Sequence, residues 1–385
     1  MSILLFDNLF RNKLYPFTHT RAVGAIRSGI FTPQERWEYI AGKPVFIHTI
    51  ASLQPLYNQL QIDINTLWID AALILNNHLI EQINALQAGQ CIYDNIGFIA
   101  GVGSTNAIND YSSTTKFDTQ KRFQYTSDLV VGNDAQIRFD FELVTTSRTS
   151  EPIPDTCTAT HKEQIFIEEN TLLSHCHLNA STGPIYISSG AEIQEGSCIR
   201  GPFALGKDAC VKMNTMVYGA TTIGPKSIIG GEVKNSILLG YSNKAHHGYL
   251  GDSVIGEWCN LGAGTSNSNV KNTGGIVGVW DEQTNTTRYV GNKMGVLMGD
   301  YVKTAINTSI TTGATIGVGA NIFCAGLTPN IVPHFSWGTE DKTYQIDKLL
   351  DDTANWKAFK NELFTDMEKQ MIRVIFDALT KKNYK

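Results

Sequence analysis

The chain has 385 residues, room for two or three domains at roughly 150 residues each. Only 17% of it is charged against 42% hydrophobic, and 31 basic against 36 acidic residues leave a net charge of -5. That balance supplies no basic footprint for nucleic acid and too little charge for a disordered chain. No run of about 18 apolar residues occurs, so no membrane span is expected, and Asp7 and Arg11 interrupt any apolar leader core. The seven cysteines, Cys91, Cys157, Cys176, Cys198, Cys210, Cys259 and Cys324, are widely spaced and include no C-x-x-C, so the expectation is a reduced, cytoplasmic protein without a disulfide framework. In His175-Cys176-His177 only the two histidines share a strand face, and no second ligand pair stands nearby.

Residues 1–160 read as an α/β domain. Leu67-Trp68-Ile69 predicts a buried strand, and residues 76–86 predict a helix, with Leu79, Ile80, Ile83 and Leu86 at helical spacing and Gly89 as its stop. Residues 96–102 predict another strand, and the polar stretch 104–120 a loop. The Ser, Thr and Pro around Pro152 and Pro154 mark a linker.

From Ile187 an aliphatic residue recurs every sixth position, at Ile193, Ile199, Leu205, Val211, Val217, Ile223 and Ile229. Small residues such as Ala191, Ser197, Ala209, Thr215 and Ser227 stand two before the next anchor. A later register runs through Met298, Thr304, Ile310, Ile316 and Ile322. Neither a helix nor a strand alternation has a period of six; a hexapeptide-repeat parallel β-helix does, each hexad forming one face of a triangular prism with its anchor inward. This domain is assigned residues 161–336, with a helical tail at 337–385 whose apolar face is read as Leu349, Phe359, Leu363, Met367 and Met371. The phase breaks twice. Between Leu239 and Ile255 the slip contains Lys244-Ala245-His246-His247-Gly248-Tyr249, and residues 265–292 form a polar insertion that reads as a hairpin leaving the prism.

Across these breaks run Glu232-Val233-Lys234-Asn235-Ser236, Lys244-Ala245-His246, Tyr249-Leu250-Gly251-Asp252 and Asn260-Leu261-Gly262-Ala263-Gly264-Thr265, with Gly201-Pro202-Phe203-Ala204 upstream. The series resembles the acetyltransferase half of the bifunctional N-acetylglucosamine-1-phosphate uridyltransferase/glucosamine-1-phosphate acetyltransferase family, and is most similar to its variant Bacteroidetes-type branch. The resemblance implies a left-handed β-helix, a homotrimer, and N-acetylation of an amino-sugar phosphate by acetyl-CoA along a groove between neighbouring prisms. His246, three before Tyr249, would be the base that takes the amine proton, with His247 as rival on counting from the lysine side. Lys234, Lys244, Tyr249, Asn260 and Asn269 would bind the substrate. The family has an arginine just after Gly-Pro-Phe-Ala where this chain has Leu205; Arg200 would compensate from the other side.

For the N-terminal domain the resemblance implies a nucleotidyltransferase-like α/β fold that couples UTP to the product with Mg²⁺. The family's opening Gly-rich loop is absent; Arg21, Arg27 and the amides around Gly24 in Thr18-His19-Thr20-Arg21-Ala22-Val23-Gly24 are the nucleotide-binding candidates. Asp70, Asp94, Asp128, Asp134 and Asp140 remain alternatives for the metal. Two further readings stay open: a nucleotidyltransferase whose β-helix only oligomerises or regulates, and a non-catalytic β-helix scaffold.

Overall fold

The computed structural model describes residues 1–340 and 342–380. Packing divides them into two units: residues 1–14, 21–26 and 31–125, and residues 15–20, 27–30 and 126 onward. Among the described residues no helix is long and apolar enough to cross a membrane, and all seven cysteines are unpaired.

The first unit is built on six strands, β1 (Ser2–Phe6), β2 (Val45–His48), β3 (Thr66–Asp70), β4 (Gln90–Tyr93), β5 (Phe98–Val102) and β6 (Ser113–Lys116), in the order β2-β1-β3-β5-β4-β6. β1 runs parallel to β2 and β3, while β5 is antiparallel to both β3 and β4. β3 is buried along its whole length, which is why Leu67-Trp68-Ile69 reads as an unbroken apolar run. α1 (Pro33–Ala41) opens with a capping box between Thr32 and Glu35. α2 (Asn77–Asn84) is capped by Asn76 and ends at Ala85, before the expected Gly89 stop. The expected loop at 104–120 contains β6, which pairs in parallel with β4.

In the second unit, α3 (Thr126–Thr145) precedes a prism of three parallel sheets. Face one carries Thr158–Thr160, His177–Asn179, Cys198–Arg200, Met216–Tyr218, Glu232–Lys234 and Tyr249–Gly251; face two has nine strands and face three eight. Every anchor from Ile187 to Ile229 is at most 2% exposed and points into the prism. The first phase break is not a break in the fold. Leu238, Lys244, Leu250 and Ile255 continue the inward row, with Lys244 beside Ile229 and Leu250 beside Val233 in parallel register. Asn267 holds the inward place one coil later, its amide bonded to both backbone groups of Gly251. The expected hairpin leaves the prism as Gly278–Asp281 paired with Thr286–Tyr289.

The tail differs from its expected form. It is two helices, α4 (Ile346–Ala358) and α5 (Asp366–Thr380), with a break that resets the helical phase. Leu349 and Met371 are buried, but Phe359, Leu363 and Met367 face solvent, and Leu350, Ile372 and Ile375 fill the core in their place.

Candidate functional sites

On face one the residues flanking the inward row form two outward rows, because side chains alternate along each strand. One row runs Asn179, Arg200, Tyr218, Lys234, Gly251; the other His177, Cys198, Met216, Glu232, Tyr249. A groove of about 470 Å³ along the lower rungs is lined by His177, Asn179, Arg200, Met216 and Tyr218. Arg200 and Lys234 lie two rungs apart, about 10 Å, on either side of Tyr218, and the Lys234 ammonium stands 5.9 Å from that ring's centre. The Tyr218 hydroxyl donates to Glu232 at 2.5 Å, a bond that pushes the phenol up to about 12. Neither Arg200 nor Lys234 has an ion pair among the described residues.

Tyr249 folds its ring over Gly251, where a Cβ would meet the phenol oxygen at 2.2 Å, so glycine is required for this approach. Asn269 contacts the Tyr249 hydroxyl and donates to the buried Asp252 carboxylate, which also accepts from Asn235 at 2.7 Å. The structure thus gathers Arg200, Lys234, Tyr249 and Asn269 on one side. It places Asn260 on face three, hydrogen-bonded to Asn243, whose amide oxygen accepts from Lys360 after α4. Asn260 therefore lies apart from the Lys234 rows, on the face whose Asn243 meets the tail.

Lys244 is also elsewhere than expected. It is 2% exposed, and its ammonium donates to the carbonyls of Gly230 at 2.8 Å and His246 at 2.5 Å. Burial pushes the amine down to about 8. The lysine is a rivet beneath the corner joining face three to face one rather than a surface cation. His246 and His247 are exposed on that corner. The His247 ring lies against Gly264 of the next coil, while the His246 ring makes no hydrogen bond, ion pair or ring contact among the described residues.

In the first unit a cavity of about 550 Å³ opens at the carboxyl ends of β1 and β3, the end where open α/β sheets hold ligands. Phe6, Phe10, Ile96, Phe98 and Ile108 form its walls, with Asn8, Asp70, Asn106, Asn109 and Arg122 among the lining polar groups. Beneath it Arg122 bridges two carboxylates, its Nε 2.6 Å from Asp70 and its Nη1 2.6 Å from Asp94. Asp70 also accepts from Asn8 at 2.8 and 2.9 Å and from the Ala72 N–H. Asp94 accepts the N–H groups of Ile96, Gly97 and Gln120. Each of the four oxygens thus carries two donors. Burial pushes Asp94 up, but the Arg122 bond and then the Gln120 and Gly97 N–H groups hold it below the usual range; for Asp70 burial outweighs its partners. A divalent cation needs oxygen lone pairs, and none remain on these two side chains, so the residues do not fit Mg²⁺. Asp128, Asp134 and Asp140 lie on α3 in the second unit, where Asp134 pairs with Arg138 and Asp140 accepts the Ile30 N–H.

The nucleotide-binding candidates do not line this cavity. Gly24 is packed against Ile47 and Leu5, Arg21 is buried in the first unit, and Arg27 belongs to the second, donating to the carbonyls of Leu239 and Ile30. Sequence reading missed Arg122 and Asn8, whose partners lie 28 to 62 residues away and leave no local pattern.

It also missed the one three-ligand grouping among the described residues, His19, Glu282 and His334. Glu282, at the hairpin turn, accepts from His19 Nε2 at 2.9 Å and His334 Nε2 at 3.1 Å. The Val318 N–H points at His334 Nδ1 at 2.9 Å, so the neutral ring carries its proton on Nε2 and has no lone pair there for a metal. Burial would raise Glu282, but the bonds from the two imidazoles hold it far below the ordinary carboxylate range. The grouping is a clasp on the hairpin.

Comparison with known proteins gives one family match and several partial likenesses to curated proteins. Residues 3–149, a span that includes α3, match the sugar nucleotidyl transferase family. The chain is 35% identical over 119 residues to the bifunctional protein GlmU of Methanococcus aeolicus, covering 29% of this chain and 27% of that protein. It is 34% identical over 150 residues to a bifunctional sugar-1-phosphate nucleotidylyltransferase/acetyltransferase of Sulfurisphaera tokodaii, covering 37% and 35%. The chain spans about a third of the length of these curated relatives. Among solved structures, a hexapeptide transferase family protein from Anaplasma phagocytophilum is 13% identical, covers 53% of this chain and 91% of that one, and gives a TM-score of 0.26. The parallel ladders, not that likeness, define the fold.

Proposed function

We propose that the second unit transfers the acetyl group of acetyl-CoA to the amine of an amino-sugar phosphate of the glucosamine-1-phosphate type. The observation that carries this reading is the exposed histidine pair on a corner riveted by Lys244, beside a face bearing the uncommitted cations Arg200 and Lys234. The amine nitrogen attacks the thioester carbonyl carbon, the C–S bond breaks and the CoA thiolate leaves. His246 takes the proton lost by nitrogen, and Arg200 and Lys234 draw in the phosphate. The name of the Sulfurisphaera tokodaii relative, which joins sugar-1-phosphate nucleotidylyl transfer to acetyl transfer, supports two reactions in one chain. The working form is a cytoplasmic homotrimer.

His246→Ala is expected to reduce CoA release from acetyl-CoA plus glucosamine-1-phosphate by roughly 10²-fold or more, and His247→Ala by far less. Full activity in both variants would defeat the assignment. Lys234→Ala should raise KM for glucosamine-1-phosphate about tenfold, a loss of about 1.4 kcal/mol, and leave KM for unphosphorylated glucosamine unchanged. A second reading, uridylyl transfer by the first unit, is favoured by the match of residues 3–149 and is tested by pyrophosphate release from UTP.

A further inference from the structure

The first unit's cavity has a charge balance that a metal–nucleotide complex does not suit. Its charged lining is Asp7, Asp70 and Arg122, so acids outnumber bases even before Asp94 below is counted. Asp7 is itself engaged by Arg11 at 3.0 Å and by the Thr49 hydroxyl at 2.5 Å. The guanidinium stands between the two carboxylates that end β3 and follow β4, where it satisfies both. Its five N–H groups are nearly all committed: one to Asp70, two to Asp94 and the Gln120 carbonyl, and one, at 3.4 Å, to the Phe98 carbonyl. One N–H of Nη2 is left without a protein acceptor.

Above this floor the cavity walls are apolar and partly aromatic. Phe6 and Phe98 meet edge to face with centroids 5.7 Å apart, and Ile96 and Ile108 also line the cavity. The side-chain amides of Asn106 and Asn109, at the rim, make no hydrogen bond among the described residues and are free to read a polar ring edge.

We propose that Arg122 is a fixed cation standing in the place of a divalent metal, and that this cavity binds an uncharged, acceptor-bearing ring such as a nucleoside without any metal ion. The ligand is held by apolar walls, two amides and one guanidinium N–H. A triphosphate gains little from the lining, whose one cation, Arg122, is already neutralised by two carboxylates; a further cation nearby, Lys13, stands 5.3 Å over the Phe10 ring. The proposal goes beyond acetyl transfer by the second unit and does not depend on it, and it opposes the second reading, uridylyl transfer from UTP in this cavity.

Calorimetry on the full chain with uridine and with UTP, each in EDTA and in excess MgCl₂, separates the possibilities. Uridine is expected to bind with the same Kd in both buffers, and UTP no more tightly than uridine. Asn106→Ala/Asn109→Ala, which alters only rim side chains, should weaken uridine at least tenfold. Water-proton relaxation with MnCl₂ alone should be the same for the parent chain and Asp94→Asn. UTP binding tightened tenfold or more by Mg²⁺, stoichiometric Mn²⁺ binding lost in Asp94→Asn, or no uridine binding in either buffer would each overturn the proposal. CoA release measured on the same preparations reports independently on the second unit, so the two readings fail separately.

Discussion

Where the coils on either side carry Ile229 and Leu261, the prism carries Lys244, and its charge is buried on the inward row. Water is replaced by two carbonyls, which do not repay the desolvation, so the amine falls from 10.5 to about 8. The folded state then holds fewer protons than the unfolded state between those two values. Below pH 8 both states are protonated and the full burial penalty stands; above 10.5 both are neutral and it has gone. Stability from this group therefore rises with pH across that window, by at most about 3.5 kcal/mol at about 1.4 kcal/mol per unit. Lys303 and Lys360 are lowered to about 8 as well, so a difference is needed to isolate one lysine. Urea unfolding at pH 7.5 and pH 10 should show a larger gain with pH in the parent chain than in Lys244→Met. An equal gain would mean that Lys244 titrates normally. The same residue explains what the sequence hid. Ile187 to Ile229 announce their register because each is aliphatic, whereas Lys244 and Asn267 keep the register with polar side chains and so look like gaps. Arg200, Lys234, Tyr249 and Asn269 were legible as a set; Asn260 was not separable from them, because only the winding puts it on another face.

At the level of elements, the hairpin Gly278–Asp281/Thr286–Tyr289 was readable from its turn-rich centre, but its fastening was not. The Glu282 carboxylate joins histidines 263 and 52 residues distant, a relation no local pattern carries. Removing it leaves two imidazole N–H groups in want of an acceptor, which costs about 1–3 kcal/mol for each that is buried. Glu282→Ala is expected to speed amide hydrogen exchange across residues 278–289 at least tenfold while leaving the face-one strands protected. Unchanged exchange would show that the clasp holds nothing. The tail teaches the opposite lesson about periodicity. A helical phase read through residues 359–365 assigns Phe359 and Leu363 to the core, yet the chain breaks there and both are exposed.

Taken whole, the second unit is a stack in which each coil meets its neighbours through parallel ladders, so its stability approximates a sum of coil and interface contributions. Ile193→Ala, in the fully buried inward row, should lower unfolding free energy by about 2–5 kcal/mol, read by urea titration. The loss should fall hardest on the coils that pair with it, through Leu173 and Val211. The clasp adds a condition on how such a molecule is made. Residues 15–20 pack with the second unit, and His19 meets partners as late as His334 through Glu282. A ribosome adding 5–20 residues per second needs roughly 15 to 60 s to travel from one to the other. Through that interval the early segment has been synthesised but the surface that receives it does not exist, so closure is a late, post-assembly event that any truncation before His334 forfeits.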